Sequence, residues 1–207
     1  FAVPTRGQEE PVYNTVDSMP NTIAGHHTSI AEVLGGVGYV SGRFGKWHLG
    51  DNLQGFNVSS ANGKPGVVGR KFYGNIDVAE KLTVAAVEFI EQNRKKPFFL
   101  YVAHWDVHGP LRARKDVVAK YKKKLETYKD DGDWEWNPIY AAMLDAVDTS
   151  VGRIRAKIQH AGLAKNTLFV FTSDNGGASF ATTNRPLRGA KGAFFEGGIR
   201  VPTCAAW

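Results

Sequence analysis

The feature that most constrains this chain is a short apolar run ending abruptly in an acid, an amide and two glycines: Thr167-Leu-Phe-Val-Phe-Thr-Ser-Asp174-Asn175-Gly176-Gly177. Five of its first six residues are β-branched or aromatic and the run is too short for a helix, so it predicts a strand buried on both faces. Asp174 and Asn175 then stand at the carboxyl end of that strand, where open α/β sheets bind their ligands. A carboxylate beside a carbonyl offers two hard oxygen ligands to a cation such as Ca²⁺ or Mg²⁺. The two glycines let the backbone turn tightly past such a site. The same residues also spell a plain Asp-Asn-Gly turn. What favours a site is that two other predicted strands end in cationic and imidazole groups.

Tyr39–Phe44 reads as a strand and runs into Gly45-Lys46-Trp47-His48-Leu49-Gly50. Lys46 and His48, two apart, point the same way if the backbone stays extended and can then face one ligand. Pro97–Ala103 reads as a further buried strand, leading to His104-Trp-Asp-Val-His108-Gly-Pro110. Two histidines four apart make a metal pair on a helix, but this segment leaves a strand for a Gly-Pro turn, which argues against zinc. His108 is the better candidate for proton transfer or anion contact, because imidazole exchanges protons near neutral pH; His104 reads as a packed residue behind it. Downstream of Asp174, Lys191 lies among small residues and could reach the same anion as Lys46, since point-charge ammonium groups suit a tetrahedral oxyanion. Glu196 and Arg200, four apart, read as a structural pair.

The segments between these strands are helical by pattern. Thr28 or Ser29 caps a helix through Ile30, Val33 and Leu34, with Glu32 in its first turn and Gly35-Gly36 as its stop. Asp77 opens a second helix carrying Val78, Leu82, Ala85, Phe89 and Ile90 on one face and ending near Asn93. Asn137-Pro138 starts a long helix striped by Tyr140, Leu144, Val147, Val151, Ile154 and Ile158, which Gly162 ends. Residues 115–136 are densely charged and read as a solvated helix and loop. Residues 1–27 form an irregular lead-in, and the glycine-rich stretch 51–76 reads as an excursion over a pocket mouth. Apolar strands alternating with helices argue an α/β fold, a mostly parallel sheet flanked by helices.

With 207 residues and 43% hydrophobic content, the chain is one domain or part of one. Its net charge of +6 suits an anionic partner, but the basic residues are dispersed, so nucleic acid is not expected. No stretch reads as a membrane span. Cys204, the single cysteine, lies in an apolar segment and is expected to be buried and inert. No signal peptide is visible at Phe1-Ala-Val-Pro-Thr-Arg, and both ends look cut, so the chain reads as an interior fragment of a longer protein.

Four blocks together resemble the type I sulfatases, the arylsulfatase family within the alkaline phosphatase superfamily: GYVSGRFGKWHLG at 38–50, PFFLYVAHWDVHGP at 97–110, NTLFVFTSDNGG at 166–177 and PLRGAKGAFFEGGIRVP at 186–202. The resemblance runs from about residue 28 to the end. It implies an alkaline-phosphatase-like catalytic domain, present here in part over residues 1–207, that hydrolyses a sulfate monoester on a small molecule or glycan. It implies a divalent cation, usually Ca²⁺, held partly by Asp174 and Asn175. Lys46 and Lys191 would hold the sulfate oxygens, His48 would stand beside the nucleophile and His108 would face the leaving-group oxygen. Family members are commonly exported to periplasm, lysosome or medium.

The departure is as specific as the likeness. The family's nucleophile is a formylglycine made in a Cys/Ser-x-Pro-x-Arg motif upstream of the GKWHLG block, and its metal site uses a further Asp-Asp pair near the N-terminus. Neither motif is in this chain: Cys204 is followed by Ala-Ala-Trp and Ser29 by Ile-Ala-Glu. The nucleophile is therefore expected outside the chain, and the 207 residues alone are expected to be inactive and to bind a cation poorly. Two other functions fit the same residues: a phosphate or phosphonate ester hydrolase of the superfamily, and a sulfated-glycan-binding domain without catalysis.

Overall fold

The computed structural model describes residues 27–47, 49, 53–60, 75–127 and 137–207. Residues 1–26 of the irregular lead-in, His48, most of the 51–76 excursion and the charged loop at 128–136 lie outside the described residues. The elements follow in the order α1 (Ile30–Gly35), β1 (Val40–Gly45), β2 (Val58–Ser59), α2 (Val78–Asn93), β3 (Phe98–Ala103), α3 (Lys115–Thr127), α4 (Pro138–His160), a 3-10 turn at Ala164–Asn166, β4 (Phe169–Thr172), α5 (Glu196–Ile199) and β5 (Thr203–Ala206).

Helix ends fall where side chains can satisfy orphan backbone groups. Ser29 caps α1 in a reciprocal box: its hydroxyl accepts from the Glu32 amide at 3.1 Å, and the Glu32 carboxylate accepts from the Ser29 amide at 2.6 Å. Asn137 caps α4 by accepting from the amides of Ile139 at 3.0 Å and Tyr140 at 3.1 Å, ahead of a proline whose missing N–H costs nothing there. Gly162, at φ 73°, takes the left-handed turn just beyond α4. Asp77 precedes α2 as expected, but its side chain makes no cap hydrogen bond.

The main sheet is parallel, in the order β2-β1-β3, with Gly42 opposite both Val58 and Leu100. Helix α2 is apolar on two faces because it is covered on two sides. Leu82 and Phe89 close a cluster with Phe44 and Trp105, joined by Val40, Phe98, Leu100 and Val102 of the sheet. Ala86 and Ile90 pack instead against Ile154 and Ile158 of α4. Helix α3 rests on α4 in turn and buries no residue fully, as its charge density implied.

Several expectations fail. The run at 167–172 is not a strand buried on both faces: β4 pairs antiparallel with β5 in a separate two-stranded sheet, and Leu168, Val170 and Phe171 are exposed. Only Phe169 turns inward, onto the Ile154 and Ile158 cluster. β3 is half-buried rather than buried, with Tyr101 exposed. Leu144 leaves the expected stripe of α4 for solvent, and Ala142, Met143 and Ser150 are buried with Val147, Ile154 and Ile158. Cys204 is exposed, because it sits on β5, whose residues are all exposed. A continuous apolar run signals that faces are covered without saying by what. Among the described residues β4 has a strand neighbour on one edge only, and one of its faces is uncovered.

Candidate active site

β1 and β3 run side by side and end together, which brings their outlets to one edge of the sheet. Gly45 closes β1 at φ 107°, and a Cβ there would fall 1.9 Å from the Ala103 carbonyl, so only glycine fits. That same carbonyl accepts from the Lys46 amide at 2.9 Å, which fixes the point where the lysine leaves the sheet. Its side chain, 20% exposed, reaches across to β4: Lys46 Nζ lies 3.5 Å from Asp174 Oδ2. The parallel sheet and the antiparallel pair thus meet at one ion pair, formed by two of the expected site residues 128 positions apart.

The turn after Asp174 is built on close backbone contact. Gly176 donates to the Gly198 carbonyl at 2.9 Å, and a Cβ on Gly176 would lie 1.8 Å from the Gly197 carbonyl oxygen. The glycine is there for proximity, where the sequence suggested turn freedom. Ser173 donates its hydroxyl to the Asn175 carbonyl at 2.8 Å, and the Asn184 amide both accepts from and donates to Gly177, at 2.8 Å each. The Lys191 amide donates to the Gly177 carbonyl at 3.1 Å, so the backbone of Lys191 is tied to the turn that follows Asn175. Its side chain is exposed. Glu196 and Arg200 do pair, at a loose 3.5 Å on the surface.

At the β3 outlet, the His108 amide donates to the Trp105 carbonyl at 2.9 Å, and His108 Nδ1 lies 2.8 Å from the Gly109 carbonyl. A carbonyl only accepts, so Nδ1 carries the proton and Nε2 is the atom that can exchange one. Asp106, two residues earlier, is largely buried, and burial pushes its carboxyl up to about 6. Burial of part of its side chain and then the negative charge of Asp174 raise the Tyr101 phenol above its ordinary value.

Sequence reasoning missed the support beneath Lys46. Arg43, in the middle of β1, is 2% exposed; its guanidinium stacks 3.9 Å from the Trp47 ring and its Nε donates to Ser59 at 2.9 Å. Trp47 in turn meets Phe56 and Tyr101 edge to face. The signal was an arginine inside an apolar strand, four residues before a tryptophan.

Asp174 and Asn175 have the hard-oxygen chemistry a Ca²⁺ or Mg²⁺ ion selects, but two ligands are far short of the six to eight that Ca²⁺ takes. Among the described residues, no group of three or more His, Cys, Asp and Glu side chains is placed to hold a metal ion. These residues alone do not complete a cation site.

With this geometry in place, comparison with known proteins is decisive. The family model described as Sulfatase matches residues 5–207. The chain belongs to the sulfatase family. It is 29% identical over 216 residues to arylsulfatase J of Mus musculus, spanning 89% of this chain and 35% of that protein. Against N-acetylgalactosamine-6-sulfatase of Mus musculus it is 30% identical over 219 residues, spanning 86% of this chain and 39% of the relative. Among solved structures, Ps i-CgsB in complex with k-i-k-neocarrahexaose superposes with a TM-score of 0.71 at 28% identity, over 87% of this chain and 47% of that one. The α/β fold with its parallel sheet is therefore the alkaline-phosphatase-like fold of a sulfatase, present in part. The sulfatase chain spans under half the length of these relatives. Among its described residues no helix is long and apolar enough to cross a membrane.

Proposed function

We propose that the protein containing this chain hydrolyses a sulfate monoester. The observation that carries the reading is the meeting of Lys46 and Asp174 at the ends of β1 and β4, within 3.5 Å, in two blocks that resemble the family's site. Lys46 and Lys191 bind the oxygens of the sulfate and oppose the charge that grows on it during transfer. His108, held through Nδ1–H on Gly109, exchanges a proton at Nε2 with the leaving-group oxygen. The resemblance gives His48 the role of the histidine that serves the nucleophile, a formylglycine expected in a Cys/Ser-x-Pro-x-Arg motif outside this chain. Asp174 and Asn175 contribute two ligands to a Ca²⁺ or Mg²⁺ ion, which supplies Lewis-acid stabilisation when bound.

The substrate is a sulfated glycan or a small sulfate ester. Support for the glycan comes from Ps i-CgsB, solved with k-i-k-neocarrahexaose. The resemblance also supports export from the cytoplasm. The test is turnover of aryl sulfate and aryl phosphate by the full-length protein. Sulfate hydrolysis is expected, with kcat lowered about 10²–10³-fold by Lys46→Met, in the range typical for removing one charge-stabilising group. Preference for phosphate assigns the protein to the phosphoester hydrolases instead, and salt-sensitive binding of sulfated glycan without turnover makes it a binding domain.

A further inference from the structure

At the end of β3, four residues before His108, begins a buried polar chain that the proposed chemistry does not use. Thr83 of α2 and Ser150 of α4 are each 1% exposed and face one another between the two helices. The Thr83 hydroxyl lies 2.6 Å from the Ala79 carbonyl and 2.6 Å from Ser150 Oγ, and Ser150 Oγ lies 3.2 Å from His104 Nε2. The protons in this chain can be assigned by counting. A carbonyl only accepts, so the single hydroxyl proton of Thr83 goes to Ala79. Ser150 must then donate to Thr83, and its oxygen is left to accept from His104. His104 is therefore protonated at Nε2 and carries its lone pair on Nδ1. The opposite direction would leave two oxygens 2.6 Å apart with no hydrogen between them.

Nδ1 of His104 is out of contact with solvent and has no hydrogen-bond partner among the described residues. A second proton there would create a cation with nothing to accept from it, which is why burial drives this imidazole down to about 4. The ring is thus a neutral fixture with one donor, used on α4. It sits at the first residue beyond β3, and the turn from Trp105 to His108 starts one residue later.

We propose that His104 is a positioning residue: locked as its Nε2–H tautomer by Ser150 and Thr83, it anchors the β3 outlet to α2 and α4 and so fixes the turn that carries His108. The consequence for His108 rests on the sulfatase reading, whereas the tautomer and the anchoring do not. The test needs no substrate. Ring-nitrogen correlation spectra of the ¹⁵N-labelled full-length protein are expected to show His104 neutral and Nε2-protonated down to about pH 5. Amide exchange at His108 is expected to quicken roughly tenfold in Ser150→Ala and in His104→Leu, on the scale of one lost hydrogen bond. His104→Gln, whose side-chain amide can still donate to Ser150, should keep the His108 amide protected. The Ile90 amide in the core reports global stability, and exchange at His108 should quicken by more than exchange at Ile90 in Ser150→Ala and His104→Leu. A His104 protonated at Nδ1, or charged at pH 6, overturns the proposal in the unmodified chain. So does His108 exchange that is the same in His104→Leu and His104→Gln. Absence of sulfate turnover by the full-length protein would sink the functional reading and leave these results standing.

Discussion

Replacing Asp106 with asparagine is expected to stabilise the protein relative to wild type by an amount that grows as pH rises from 4 to 6. Burial lifts Asp106 from 3.8 to about 6 and lowers His104 from 6.5 to about 4, so the two groups titrate in opposition. Between about pH 4 and 6 the unfolded chain carries a proton on the histidine and none on the aspartate, and the folded chain carries the reverse. Each state binds one proton, so the two contributions to the slope cancel. The signs are these: the histidine, lowered on folding, costs stability as pH falls through 6.5 towards 4; the aspartate, raised on folding, costs stability as pH rises through 3.8 towards 6. Asp106→Asn removes the second cost and leaves the first. A displacement of about two pH units at 1.36 kcal/mol each makes the variant gain about 3 kcal/mol on the wild type between pH 4 and 6. Urea unfolding followed by helical circular dichroism reads this directly. With m near 2 kcal/mol/M, the variant's midpoint should rise by about 1.5 M relative to wild type over that range. Comparing the two proteins at each pH cancels every other titrating group. A midpoint difference that stays constant from pH 4 to 6, or that shrinks, would refute the assignment of a largely neutral Asp106 beside a neutral His104.

Gly176→Ala places a Cβ 1.8 Å from the Gly197 carbonyl oxygen, so the 174–202 segment must shift; a loss of about 2–3 kcal/mol is expected, on the scale of overpacking, with amide protection lost there first and retained in α2 and α4. Cys204 is exposed on β5, so Ellman's reagent should titrate one thiol in the native chain without denaturant, and reaction only after unfolding would restore the buried thiol that the sequence suggested.

The parts of the fold legible in the sequence were those specified by neighbours in the chain. Ser29 with Glu32, Asn137 with Pro138 and Gly162 mark helix ends because capping is satisfied within a few residues. The parallel β1–β3 pair follows from apolar strands alternating with helices. The burial of β4 was not legible, since a run such as Leu168-Phe-Val-Phe171 is apolar whether its partners lie within this chain or elsewhere. Lys46 and Asp174 were each legible as ends of strands, but their 3.5 Å approach depends on how two sheets meet, which no local pattern encodes. Asp174 also follows an antiparallel strand, whereas an unbroken apolar run implies a parallel one.

The residues that sequence reasoning passed over share one property. The candidate site groups lie at or near the rim, with Asp174 71% and Lys46 20% exposed, whereas the polar groups beneath them are sealed: Arg43 at 2%, Thr83 and Ser150 at 1%. This division has a physical basis, because a group that must meet a hydrated anion cannot be buried, and an exposed lysine or aspartate has no packing to hold it in place. Its position has to be set from below, by side chains whose own hydrogen bonds leave them one conformation. Arg43 stacked on Trp47 does this for the β1 outlet, and the Thr83–Ser150–His104 chain does it for the β3 outlet. Substitutions should therefore separate by depth. Changes at Lys46 or Asp174 should alter chemistry at nearly constant stability, since an exposed ion pair contributes about 0–1 kcal/mol. Changes at Arg43 or Ser150 should alter both together, because the same hydrogen bonds that stabilise the fold also set where the rim groups stand.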